Sequence, residues 1–580
     1  MVNVTIDNIK VQVEPGTTIL QAAKKAGIDI PTLCYLKEIN EIGACRVCEV
    51  EVKGARALAA ACVMPVSEGM EVSTTSKVVR EARLATVELI LSNHNRDCLT
   101  CSSNHKCELQ TLAEELCVRE SPFEGEHDFG IVDTSSPSIV RDQSKCVLCG
   151  RCVSVCKKIQ GTAILDFTDR GFHTGVSPVL NKNLADVPCI YCGQCVTACP
   201  TAALHEKEDL DVVWAALENP DLHVVVQTAP SVRAALGEKF GLPVGTRVTG
   251  KMVSALKRLG FNKVYDTNFG ADMTIMEEGH ELLDRLNNSG VLPMITSCSP
   301  GWVRFCEYNY PEFIPNLSSC KSPMTMFGAI VKSYYAEKTG IDPKKIFNVA
   351  IMPCTAKKAE AMREEMEVNG LRDIDAVLTT RELAKMIKQA RINFHSLEDG
   401  EFDADLLGDY SGAGVIFGAT GGVMEAALRT VADVVTGKDL ADFEFKSVRG
   451  VEGIKEAEIY VGDTKVRIAV VHGTSNAAIL LDKIKAGEAK YDFIEVMACS
   501  GGCVTGGGQP RISATTRAEM DVREKRASVL YSEDASLPVR KSHKNPQIIK
   551  LYDDYLGKPN GHKAHELLHT KYEAKEAYPL

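Results

Sequence analysis

The chain has 580 residues, too many for one hydrophobic core, and it is expected to divide into several domains. Its 45% hydrophobic and 25% charged residues are those of a globular protein, and a formal charge of -11 argues against a nucleic-acid partner. No apolar run reaches membrane-spanning length, and the opening MVNVTIDNIKVQVEPGTTI has no basic and apolar export segment, so a cytoplasmic protein with no membrane partner is expected. In such a reducing compartment, 22 cysteines rich in CxxC spacings point to metal ligation rather than disulfides.

In chain order, Val2, Val4 and Ile6 against Val11 and Val13 predict a hairpin, and Leu20 to Ala26 a helix capped by Thr17 or Thr18, together a β-grasp-like unit. Cys34, Cys45, Cys48 and Cys62 follow as Cx10CxxCx13C. A loop carrying three thiolates resembles the 2Fe-2S ferredoxins; zinc, the alternative, usually takes its ligands as two close pairs. His94, Cys98, Cys101 and Cys107 come next, at the end of a helix predicted over Val87 to His94. One imidazole and three thiolates suit zinc or a 4Fe-4S cubane. The order of ferredoxin loop and then histidine-bearing site resembles the large subunits of complex I and the iron-only hydrogenases, which implies the cubane. His105 reads as a solvated loop residue.

Cys146, Cys149, Cys152 and Cys156 are repeated as Cys189, Cys192, Cys195 and Cys199, each CxxCxxCx3C. This duplication is the pattern of a two-cluster bacterial ferredoxin, where the fourth cysteine of each run serves the other cluster. The expected sets are Cys146, Cys149, Cys152 with Cys199, and Cys189, Cys192, Cys195 with Cys156. Four clusters in series and no dinucleotide fingerprint read as a wire for electrons.

From about Leu210 the pattern changes to apolar strands alternating with amphipathic helices. Strands are predicted at His223–Gln227, Met294–Thr296, Phe347–Met352, Gly414–Phe417, Val466–His472 and Phe493–Met497. The loops after them, TAPSVR, TSCSPGW, MPCTAKK, FGATGG and MACSGGCVTGGGQP, are expected to converge, because ligands of α/β sheets collect beyond the carboxyl ends of strands.

Three of these loops carry a resemblance that, with the cluster modules, covers essentially the whole chain. TSCSPGW at 296–302, MPCTAK at 352–357 and EVMACSGGCVTGGGQ at 495–509 resemble the signatures TSCCPxW, MPCxxK and ExMxCxxGCxxGGGQ of the iron-only hydrogenases. The resemblance implies reversible joining of protons and electrons into dihydrogen. Its cofactor would be an H-cluster, a 4Fe-4S cubane linked through Cys503 to a two-iron unit with CO, cyanide and dithiolate ligands. Cys354, Cys499 and Cys503 match cubane ligands; Ser299 stands where the family has the fourth cysteine. Lys357, Ser231 and the backbone after Pro230 would hold the cyanides, and Met352, Met497 and Phe417 would wall the two-iron unit. Gly506, Gly507 and Gly508 would let backbone approach the metal. The implied proton relay is Cys298, Glu278, Ser318, Glu281 and Arg285. Glu278, Glu281 and Arg285 fall at i, i+3 and i+7 of a helix predicted over Met273–Leu286, where a solvated face is the alternative reading.

Serine is a poor iron ligand beside thiolate. Ser299 is expected to ligate through oxygen, the alternatives being three thiolates with an open position, or recruitment of Cys298. Cys117, Cys306 and Cys320 fit no ligand spacing, and the tail from Arg526 to Lys571 reads as packing. The expected architecture is α+β and multidomain: a β-grasp 2Fe-2S domain (1–78), a His/Cys3 4Fe-4S domain (79–125), a two-cluster ferredoxin domain (126–209) and an α/β catalytic domain (210–580). Ferredoxin or flavodoxin is the expected electron carrier, docking near Lys37, Arg46, Lys53 and Arg56, to a monomer. A cluster-assembly or hydrogen-sensing protein of the same fold is the competing reading.

Overall fold

A computed structural model describes residues 1–439, 444–461 and 464–578. At the N-terminus Val2–Ile6 and Ile9–Val13 pair antiparallel, Val2 opposite Val13, within a five-stranded sheet completed by Met70–Ser73, Glu49–Val52 and Ala59–Ala60. The helix Ile19–Lys25 lies on it, and Thr18 closes a reciprocal capping box with Gln21. Lys77–Ser92 is a longer helix, so His94 stands in the turn just beyond its end.

The cysteine duplication is repeated in the backbone. Leu148 and Tyr191 both have positive φ, as do Gly150 and Gly193, which start the short helices Arg151–Ser154 and Gln194–Ala198. Each run therefore turns through two left-handed residues. Such turns aim successive N–H groups into one concavity, the geometry that receives an anionic cluster.

Two four-stranded sheets carry the rest. One is wholly parallel, in the order Lys263–Asp266, His223–Thr228, Ile346–Met352, Ala376–Thr379. Val224, Val225 and Val226 are all buried, as a parallel strand covered on both faces requires. The other runs Met294–Ile295, Phe493–Met497, Thr464–His472, Ile454–Val461, with only the last pair antiparallel. Between the sheets lies the helix Asn268–Asn287, longer than the periodicity predicts. The expected strand at Gly414–Phe417 is instead the end of a helix, Gly412–Ile416, with Phe417 at its C-cap. Its apolar run is short enough to fit either state, and Ser411, whose hydroxyl accepts from the Gly414 N–H, settles it as a helix start. No helix among the described residues is long and apolar enough to cross a membrane.

Candidate active site

The strands His223–Thr228, Met294–Ile295, Ile346–Met352 and Phe493–Met497 end at one face, and the loops after them close around a cavity of about 820 Å³ of atom-free space. Cys354, Cys499, Cys503 and Ser299 line it together with Cys298, Lys357, Pro230, Ser231, Met352, Met497 and Phe417. Residues as far apart in sequence as Pro230 and Cys503 thus share one void. Ser299 Oγ accepts a hydrogen bond from the Ala498 N–H at 3.2 Å, which aims its oxygen at the loop of Cys499. Ser231 Oγ is buried without a hydrogen-bond partner, an orphan that suits a hydrogen-bond acceptor inside the cavity. Lys357 Nζ donates to the Cys298 carbonyl at 3.2 Å and pairs with Glu360 at 2.7 Å, so its ammonium is held at the wall.

Gly506 lines the cavity, and its two neighbours sit tightly against other loops. A Cβ on Gly507 would lie 2.2 Å from the Cys192 carbonyl oxygen, and one on Gly508 would lie 2.9 Å from the Cys354 nitrogen. Glycine at these two positions permits loop to press on loop.

On one side the cavity meets the ferredoxin module. Cys146, Cys149, Cys152 and Cys199 ring a space of about 460 Å³, and Cys156, Cys189, Cys192 and Cys195 ring a second of about 390 Å³. These are the two crossed sets the duplication implies. Cys192 lines both the second space and the large cavity. Gln194 spans the same boundary, donating to Cys499 Sγ at 3.2 Å and to the Thr505 carbonyl at 3.0 Å. Spacing alone did not mark Gln194.

Farther out, Cys34, Cys45, Cys48 and Cys62 lie within hydrogen-bonding reach of one another, with the Cys34 N–H 3.4 Å from Cys45 Sγ. Asn40 ties this loop to the ferredoxin module, donating to the carbonyls of Cys34 at 2.8 Å and Cys149 at 3.0 Å. His94 is half-buried and its pKa pushed down to about 4 by desolvation, leaving a neutral imidazole whose buried Nδ1 has no hydrogen-bond partner. Cys98 to Thr100 form a single turn and Cys107 precedes the helix Glu108–Glu115. Among the described residues no three His, Cys, Asp or Glu side chains close on a single-ion site. The cysteines of the ferredoxin module instead surround cluster-sized spaces, which disfavours zinc there.

On the other side the helix Asn268–Asn287 brings carboxylates to Cys298. Glu278 is buried, neither oxygen makes a well-formed hydrogen bond, and its pKa is pushed up to about 8 by burial and then by Glu281. Burial, and then Glu278, raises the Cys298 thiol well above its ordinary value. Glu281 accepts from Ser318 Oγ at 2.7 Å and from Arg285 at 2.6 Å. Arg285 in turn donates to the Leu317 carbonyl at 2.8 Å near the surface. The helix face is therefore largely buried, not solvated. Cys320, expected to be incidental, places its Sγ 3.8 Å from Glu281 Oε2; its lack of ligand spacing hid this. Cys117 is exposed and Cys306 lies in the core.

The tail packs on the catalytic domain through polar contacts: His569 Nε2 lies 3.0 Å from Glu277 and its Nδ1 2.8 Å from Ser319 Oγ, and Tyr572, just beyond it, donates to the Cys320 carbonyl at 3.3 Å. At the suggested docking patch Arg46 pairs with Glu49 and Lys53 with Glu71, each within 3 Å, and Lys37 approaches Glu38 at 4.0 Å, but all three cations stay exposed and are only screened by these partners.

Comparison with known proteins agrees with this geometry. Residues 222–507 match the family described as iron only hydrogenase large subunit, C-terminal domain, and 520–575 match the iron hydrogenase small subunit. Residues 1–77 match a 2Fe-2S iron-sulfur cluster binding domain, 83–122 the NADH-ubiquinone oxidoreductase-G iron-sulfur binding region, and 145–203 a 4Fe-4S dicluster domain. The chain is 48% identical to iron hydrogenase 1 of Clostridium pasteurianum over 99% of its own length and all of the relative's. The chain belongs to the iron-only hydrogenases. Another hydrogenase, the NADP-reducing hydrogenase subunit HndD of Solidesulfovibrio fructosivorans, is 50% identical over 99% of both chains. A solved FeFe-hydrogenase, a variant of HydA1 from Chlamydomonas reinhardtii, is 46% identical with a TM-score of 0.57, covering 63% of this hydrogenase and 98% of the algal chain.

Proposed function

We infer that this chain catalyses 2H⁺ + 2e⁻ ⇌ H₂ in the cavity bounded by Cys354, Cys499 and Cys503. One observation carries the reading: the cavity has Cys192 of the ferredoxin module on its wall and, through Cys298, lies beside buried Glu278. Electrons and protons thus have separate entries to one enclosed space. Cys354, Cys499, Cys503 and Ser299 would hold the cubane of an H-cluster, and the two-iron unit supplies the site where protons and electrons combine. Pro230, Ser231 and Lys357 bind and orient that unit, while Met352, Met497 and Phe417 exclude water. Protons pass from Arg285 and Glu281 through Ser318 and Glu278 to Cys298 Sγ, or in reverse.

One 2Fe-2S and three 4Fe-4S accessory clusters complete the reading, held by the sets at Cys34 to Cys62, at His94 to Cys107, and by the two crossed sets. The supports are the tight first thiol group, the neutral orphaned His94, and the two ringed spaces. The divisions at 78, 125 and 209, the β-grasp assignment, a ferredoxin or flavodoxin carrier, a monomeric state and a cytoplasmic location belong to the same proposal. A non-catalytic assembly or sensing role is disfavoured by the buried chain from Cys298 to Arg285, for which cluster binding alone has no use. Infrared spectroscopy of the matured protein tests the reading directly. Bands of metal-bound CO and cyanide with hydrogen evolution support it, and a protein that evolves hydrogen without them, or binds the unit without turnover, overturns it.

A further inference from the structure

A second cleft, separate from the active site, opens where three parts of the chain meet. It encloses about 860 Å³ of atom-free space, and Ser102, Lys106, Lys239, Arg381, Lys385 and Arg511 stand on its wall. Some of this positive charge is answered: Arg381 pairs with Glu206 at 2.9 Å, and Lys385 with Glu208. Glu238, also on the wall, is committed to Arg526 at 2.6 Å. Lys106 and Lys239 have no carboxylate in salt-bridge contact among the described residues, and Lys106 lies close enough to Lys239 to repel its ammonium. Arg511 makes three hydrogen bonds, to Ser103 Oγ and to the carbonyls of Thr201 and Leu204, all neutral oxygens.

Burial, followed by repulsion from Lys106 and Arg381, pushes the Lys239 pKa down to about 6. Like charges gathered in a concave, partly desolvated place are costly unless something negative joins them. The donors come from the loop between Cys101 and Cys107, from the turn Leu236–Phe240, and from the segment after Gln509. Drawn from three segments to the wall of one cleft, they suit a compact ligand with several equivalent oxygens better than a flat protein surface.

We propose that this cleft binds a phosphate-class oxyanion carried by a small phosphorylated molecule, with Lys106, Lys239 and Arg511 as its donors. The ligand ties the His94 module to the catalytic domain. The proposal is independent of the hydrogen chemistry assigned above.

The cluster-loaded, full-length protein is titrated calorimetrically at low ionic strength with inorganic pyrophosphate and, separately, with inorganic phosphate. The same titrations are run on K106Q/K239Q and on Lys239→Met, the latter lying away from the cluster loop. Saturable one-site binding is expected, tighter for pyrophosphate, weakened at least tenfold in either variant, with dye-linked hydrogen evolution unchanged. Absence of saturable binding, or equal binding by wild type and Lys239→Met, overturns the proposal. So does a result in which the variants lose only affinity for an acidic carrier protein, because the cleft is then a docking site for that carrier.

Discussion

Replacing Glu278 by glutamine isolates the proton route from the rest of the site. The carboxyl is fully buried and its pKa rises from an ordinary 4.5 to about 8. That shift corresponds to on the order of 5 kcal/mol of preference for the protonated form. Between these two values the folded state holds a proton that the unfolded chain has released. Stability therefore falls as pH rises from about 4.5 to about 8, and the full cost is present above the folded value. Glutamine keeps the shape and neutrality but cannot release a proton. Glu278→Gln should thus become more stable relative to wild type as pH rises through this window, while dye-linked hydrogen evolution drops by roughly 10²–10⁴, the usual worth of a positioned acid-base group. Wild-type evolution should decline as pH passes about 8, and the variant should lack that inflection. Infrared difference spectra between wild type and variant would show a protonated carboxylic acid band at pH 7. Wild-type turnover in the variant, or a carboxyl band that titrates near 4.5, refutes the assignment.

Ser299→Cys should raise hydrogen turnover and alter the paramagnetic resonance of the cubane, since a thiolate replaces an oxygen that now accepts from Ala498; identical spectra and rates would mean that position 299 does not touch the cluster. Gln194→Leu removes the donor to Cys499 Sγ, and because such a donor favours the electron-rich state, the cluster potential should move down by tens of millivolts, about what 1 kcal/mol is worth for one electron. A potentiometric titration with no downward movement contradicts this. Gly507→Ala forces its Cβ against the Cys192 carbonyl and should lower stability by about 1–3 kcal/mol and slow carrier-linked more than dye-linked turnover. Equal slowing of both would show that the contact supports folding alone.

The ligand loops were legible because cluster chemistry fixes cysteine spacing, and strand ends predicted from apolar runs place MPCTAK and MACSGGC at one face. Gly414–Phe417 misled because four small and apolar residues carry no period. Cys320 and Gln194 were invisible for another reason. Their partners, Glu281 and Cys499, are 39 and 305 positions away, and nothing in the local pattern announces a contact of that range. The charge on Lys37, Arg46 and Lys53 was legible, but the exposed pairs it makes with Glu38, Glu49 and Glu71 depend on side-chain placement. The resemblance singled out Glu278, while its own helix pattern left it one more charge on a crowded face; that it is buried follows from the packing of its neighbours.

The segment matched to a small subunit packs beside the proposed proton route, through His569 against Glu277 and Tyr572 against the Cys320 carbonyl. Being continuous with the catalytic domain, it reaches that place at fixed stoichiometry and without a diffusive encounter. Cleaving the chain between the two matched regions would turn an intramolecular closure into a concentration-dependent one, and the packing beside the proposed proton route would then depend on assembly.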